Sequence, residues 1–217
     1  MRAAVLVLLL LAGPAEALDV SIERYEEARR AGAIGVVAGR AAAEPRTLRT
    51  PAQPLTGTTV RLLPRSEALM TRLERLRETS RESSTAFAAA APAMRRAHEV
   101  YERELLEAGA PDLTPMVLVD QDGTFRIDDL PAGAWVLIAW HSAPVDVSPA
   151  KKSTSKKHET GKRSLYRPQS RLEGYQAVTI WLRELTVAGG ATVTVDLTDR
   201  NGWFRGVIEE RVQDPVR

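Results

Sequence analysis

Apolar residues recur along this chain with two different periods. Alternation by twos, or short apolar runs bounded by turn residues, marks strands; it predicts them at residues 33–40, 58–63, 116–119, 124–127, 134–140, 177–182, 184–187 and 192–197. Between the second and third of these the period becomes three and four: Leu69, Leu73 and Leu76, then Phe87, then Met94, Ala97, Tyr101 and Leu105. Such spacing lays one apolar stripe along a helix. Pro92 lacks the N–H that continues a helical ladder, so the pattern predicts two helices meeting near Ala91, with Pro92 in the first turn of the second. Gly109 and Pro111 end the pair, which gives a helical hairpin over residues 66–110.

The turns carry their own chemistry. Asp120-Gln121-Asp122-Gly123, with glycine free to take a positive φ, predicts a β-hairpin between 116–119 and 124–127. Asp128 to Gly133 is read as a second turn, leading into the near-continuous apolar run 134–140 expected of a central strand, and Gly189-Gly190 precedes the last strand. Residues 18–32, with Ile22, Tyr25 and Ala28 at helical spacing, are read as a short helix or leader, and 201–217 as a C-terminal tail. Short strands without a strand-helix-strand rhythm predict an antiparallel sandwich rather than a parallel sheet.

The N-terminus changes the setting. Met1 and Arg2 precede an apolar run of ten residues, 3–12, and Ala15-Glu16-Ala17 supplies small residues at the two positions a signal peptidase reads. Residues 1–17 are thus expected to be a signal peptide cut before Leu18, and the product to be periplasmic or secreted. The apolar run is well short of the roughly 20 residues that span a bilayer, so no transmembrane segment is expected. Cleavage would leave 200 of the 217 residues, enough for one domain with insertions. With no cysteine, the chain has neither a disulfide framework nor a thiolate nucleophile or metal ligand.

The order of residues at the centre of the chain resembles the carboxypeptidase regulatory-like domain. Ile34-Gly35-Val36-Val37, Thr59-Val60-Arg61-Leu62 and then the stretch 119–137, with its Asp-rich turn, Phe125-Arg126-Ile127 strand and Pro131-Ala132-Gly133 turn before Trp135, carry the resemblance; 184–197 looks like the family's last two strands. The resemblance implies a mainly β fold: an antiparallel seven-strand Greek-key β-sandwich of transthyretin type over residues 33–200. Here that sandwich would be elaborated by the helical insertion 66–110 and a Lys-rich loop, 142–172. It also implies a non-catalytic binding or scaffolding module, with no cofactor. The enzyme class that shares the sandwich, the hydroxyisourate hydrolases, ends in Tyr-Arg-Gly-Ser; this chain has Phe204-Arg205-Gly206-Val207 well before its end. A small hydrolase of that type is the alternative from another class.

Candidate chemistry is sparse. Asp120 and Asp122, with Asp128 and Asp129 nearby, could offer oxygens to calcium, but the fragment stops short of a full ligand set and suits a turn better. His98, His141 and His158 show no metal-ligand spacing. Residues 151–171 hold eight basic side chains and one acid, a charge of +7 that leaves the rest of the mature chain near −5. In an exported protein, Lys151, Lys152, Lys156, Lys157, Lys162 and Arg163 would meet anionic envelope components rather than nucleic acid, since no aromatics alternate with them. Otherwise the segment is a solvated loop. Trp135, Trp140, Trp181 and Trp203 raise carbohydrate as a ligand, although strand spacing places most of them in the core. The Leu69, Leu73, Leu76 stripe must be covered by the sandwich or by an unknown protein partner.

Overall fold

The computed structural model describes residues 18–45, 47, 51–145 and 170–213, with the backbone alone for 170–173 and 210–213. Strand β6 (Gly133–Pro144) determines how everything else is arranged. Its alternate residues Trp135, Leu137 and Ala139 enter one core, while Val136 and Ile138 enter another on the opposite face. A strand apolar on both faces has to be covered twice. It lies in the middle of a five-stranded sheet ordered β4-β3-β6-β7-β9, all neighbours antiparallel, with β3 at Thr59–Pro64, β4 at Met116–Leu118, β7 at Ser170–Val187 and β9 at Phe204–Gln213.

One face packs on a second, four-stranded sheet built around β1 (Ile34–Ala43). There β1 pairs antiparallel with β5 (Thr124–Pro131) and with the two-residue β2 (Gln53–Pro54), and parallel with β8 (Thr192–Thr198). Val37, Phe125, Ile127 and Leu197 from this sheet meet Leu62, Trp135 and Trp181 from the other. The opposite face is covered by the helices α2 (Glu67–Thr79) and α3 (Ser84–Glu107). Leu69, Leu73, Met94, Ala97 and Leu105 pack on Val136, Ile138, Val178, Ile180 and Phe204. The molecule is therefore mainly β, two sheets face to face with a helical layer outside one of them. The apolar stripe of the insertion is covered by the protein's own sheet: Leu69 and Leu73 are buried and Leu76 partly so.

Several details differ from the sequence expectation. The helices part at residues 80–83 rather than at Ala91, because Ser83 caps α3 by accepting a hydrogen bond from the Ala86 N–H at 3.0 Å. Pro92 consequently lies inside α3, where its missing N–H is outweighed by burial of Ala90, Ala91 and Met94 against the sheet.

The Asp120–Gly123 turn does not close a hairpin, since β4 pairs with β3 and β5 with β1. Buried Val119 stays on the β3 side through its N–H to the Thr58 carbonyl, and the turn then carries the chain across to the other sheet. The two stretches read separately at 177–182 and 184–187 are one continuous strand, β7. Residues 204–213 of the expected tail form β9 against it. With β2 added as well, the described residues contain nine strands, where the pattern predicts eight stretches and the resemblance implies a seven-strand sandwich.

The second Asp-rich segment is a bulge rather than a turn. Asp128 and Asp129 of β5 together oppose Val36 alone, and Asp129 adopts φ 57°, a conformation that Asp tolerates better than most residues. The chain crosses back to the five-stranded sheet at Ala132-Gly133. A Cβ at Gly133 would lie 2.6 Å from the Tyr25 ring, so only glycine admits the helix α1 (Ile22–Arg30) at this end. Tyr25 stands edge-on to Trp135, ring centroids 5.2 Å apart, and donates its hydroxyl to the Ala134 carbonyl.

Leu73→Ala should destabilise the protein by about 2–5 kcal/mol, the range for a buried large-to-small change, whereas Leu118→Ala, at a side chain whose residue is 61% exposed, should change stability by no more than about 0.5 kcal/mol. Denaturant melts of the two variants check this. Equal effects would mean that the stripe is not packed on the sheet.

Candidate functional site

The described histidines are kept apart by the five-stranded sheet. His141 follows Ala139 on the face of β6 turned to the other sheet, with its Nδ1 3.0 Å from Thr58 Oγ1, a buried hydroxyl that also donates to the Leu55 carbonyl. His98 projects from α3 on the helical side, above Ile138 and Trp140. No single site can use both. His158 lies outside the described residues.

The aspartates act in the backbone. Asp120 accepts from the Thr124 N–H on one carboxylate oxygen and from Thr124 Oγ1 on the other, both at 2.7 Å, and these hydrogen bonds hold its pKa below the ordinary carboxylate value. Asp128 pairs with Arg126 at 2.8 Å. Among the described residues no three His, Asp or Glu side chains gather closely enough to hold a metal.

The tryptophans divide into two pairs. Trp135 and Trp181 are fully buried, and their N–H groups donate to the carbonyls of Pro131 and Thr198, Trp181 reaching Asn201 Oδ1 as well. Trp140 and Trp203 are partly exposed at the rim of the helical layer. Arg95 of α3 lies over the Trp140 ring at 4.5 Å and Arg77 of α2 over Trp203 at 5.1 Å. These cation–π contacts clamp the two helices to the sheet. The ring faces a sugar would stack on are thus shared with guanidinium groups.

Beneath α3 lies a polar contact that sequence patterning does not reveal. Arg61 of β3 points to the helical side, pairs with Glu102 and places Nη2 3.3 Å from the Met116 sulfur. Its Nη1 meets Glu102 as an ion pair without the alignment of a hydrogen bond. Burial lowers the pKa of Arg61 and the Glu99 charge opposes that shift. Burial likewise lowers His98, helped by the positive charges of Arg61 and Arg95 and opposed by Glu99. His141 is lowered by burial. Only the fold brings residues 61, 98 and 102 together.

Lys151, Lys152, Lys156, Lys157, Lys162 and Arg163 lie outside the described residues. The structure does define where that segment leaves and rejoins the fold. β6 and β7 remain paired as far as Pro144 and Gln176, and the Val145 N–H donates to the Tyr175 carbonyl at 2.9 Å. Beyond Gln176, β7 continues to Ser170 against β9, so the described residues on the two sides of the segment belong to neighbouring strands of one sheet. All five lysines of the chain fall within residues 151–162, and apart from the three histidines every other basic side chain is an arginine.

No family model matches the chain, and no curated protein matches it. Among solved structures it is similar to a candidate carbohydrate-binding protein of Pseudomonas aeruginosa, at 15% identity over 83% of this chain and 99% of that one, with a TM-score of 0.44. It is also similar to the minor pilin of Streptococcus agalactiae, at 12% identity over 85% of this chain and 48% of that one, with a TM-score of 0.30.

The histidines predict a pH dependence. Both have folded-state pKa values below the roughly 6.5 of an unfolded histidine. Between those values the unfolded chain binds more protons, so stability falls as pH drops from about 7 through that window. Thermal melts should show this loss, and the His98→Gln/His141→Asn pair should show less of it. Imidazole NMR titrations with both midpoints at or above about 6.5 would contradict it.

Proposed function

We propose that this chain is an exported, non-catalytic binding module of the cell envelope: a carboxypeptidase regulatory-like sandwich that presents a lysine-rich excursion to anionic envelope polymers or lipid headgroups. The observation that carries the reading is the confinement of all lysines to residues 151–162, between two strands that are neighbours in one sheet. Arginine presents a planar fork suited to fixed bidentate partners, whereas lysine is a hydrated point charge on a mobile stem. A chain that otherwise uses arginine, and concentrates lysine in one excursion, is suited there to diffuse attraction toward a polyanion. Each such charge near an anionic surface contributes about 1 kcal/mol, weakened by salt as the Debye length shrinks.

The family reading is supported by the succession of β5, Pro131-Ala132-Gly133 and β6 with buried Trp135 at the junction of two packed sheets. The non-catalytic reading is supported by the separation of His98 from His141 and by the engagement of Asp120 within its turn.

Co-sedimentation of the mature protein with isolated envelope material is expected at low salt, and it should be lost at high salt and on deletion of residues 151–163. Amine acetylation, which neutralises those five lysines and otherwise only the α-amino group, should abolish it as well. Binding that survives both deletion and acetylation would move the site elsewhere, to a protein-binding face of the sandwich.

A further inference from the structure

Between α2 and α3 runs an open groove of about 550 Å³, within the size range of small-ligand sites. Its floor is apolar: Leu69 of α2 is buried and Val100 of α3 half-buried. Its rim is charged, and the two signs are set apart. Arg72 and Arg75 stand on α2 at a spacing of three, which puts both on one side of the helix. Both are exposed, and neither guanidinium has a hydrogen bond or ion pair among the described residues. The acids lie at the other end. Asp19 is fixed beside the start of α2 by the hydrogen bond it accepts from the Ala68 N–H at 2.8 Å. α2 and α3 form a hairpin through residues 80–83, so Glu104, late in α3, comes beside the start of α2 and lines the groove with Asp19. The Glu104 carboxylate has no partner among the described residues. The negative charge reaches the Tyr101 hydroxyl between them: burial raises its pKa, and Asp19 and Glu104 add to that rise. With 1.5 Å of rise per residue, the step from Ala68 to Arg75 sets the acidic and basic ends about 10 Å apart.

We propose that this groove binds a short peptide with both ends free, its carboxylate on Arg72 and Arg75, its ammonium at Glu104 and Asp19, and its side chains on the floor of Leu69 and Val100. The charge pattern selects the occupant. A polyanion would meet the acids at one end and a polycation the arginines at the other, whereas a zwitterion of the right length satisfies both. An extended chain advances about 3.3–3.6 Å per residue, so three residues span the roughly 10 Å between the ends. Guanidinium forks receive a carboxylate in bidentate fashion, and capture of a peptide by its terminal charges is a general mode of recognition. Asp19 Oδ2 already serves the Ala68 N–H, so Glu104 is the acid left to accept from the ammonium, and Asp19 adds its charge. None of residues 151–163 takes part, and the site stands independently of the polyanion reading.

The probe is tri-alanine with free ends, titrated at low salt into the purified protein and followed by backbone amide NMR; its N-acetyl and C-amide forms are the comparison ligands. Saturable shifts are expected at amides within residues 68–75 and 97–104. Blocking either end should weaken binding at least about threefold, the worth of an exposed ion pair. Substitutions assign the ends. In Arg72→Gln/Arg75→Gln the amide form should bind as well as the free acid, and in Glu104→Gln acetylation of the peptide should no longer matter. These side chains lie outside both cores, so the variants should fold, with amide spectra unchanged away from the groove. No saturable shift up to about 10 mM peptide, or equal binding of free and blocked peptides, would overturn the proposal. Sensitivity to amidation without sensitivity to acetylation would describe a plain carboxylate site and overturn the zwitterion reading too.

Discussion

A strand that is apolar on both faces cannot end at a sheet surface. Trp135, Leu137 and Ala139 of β6 need one apolar layer, and Val136 and Ile138 need another. The first is supplied by the sheet around β1 and the second by the helical insertion, so the insertion is half of the core rather than an ornament on a finished sandwich. The peripheral devices follow from that. Ser66 and Ser83 start the helices, Arg77 and Arg95 fasten them over Trp203 and Trp140, and Asp19 attaches the N-terminal segment to α2.

Period and turn chemistry made most of the elements legible, because both are local. The change from period two to three and four after Pro64 located the insertion, and the near-continuous apolar run 134–140 was legible as a central strand. What local chemistry could not supply was the sheet each strand joins. Asp120-Gln121-Asp122-Gly123 turns the chain whether the next strand returns beside β4 or crosses to β1, and the choice is made by distant groups such as the Thr58 carbonyl that holds Val119. Arg183 alone separated the stretches 177–182 and 184–187 in the sequence reading. In the fold Arg183 reaches the Asn201 carbonyl and Glu184 pairs with Arg65, so the strand runs on. β9 was hidden by Glu209, Glu210 and Arg211, polar residues of the kind that protect an edge strand.

The candidate site was legible in a different way. Its charge is a matter of composition and needs no fold to be seen, whereas its setting, between two strands adjacent in one sheet, needs the register of β6 against β7. Two sheets and a helical layer give stability through apolar burial, and many of the described polar groups serve turns, caps and clamps.

The claim that the helical layer belongs to the core is tested most directly by native-state hydrogen exchange. If α3 and β6 form one cooperative unit, the amides of Met94 to Leu105 and those of Val136 to Ala139 exchange with the same opening free energy, equal to that of global unfolding. Helical amides exchanging orders of magnitude faster than those of β6 would contradict the account, since they would describe a sandwich that stands without its helices.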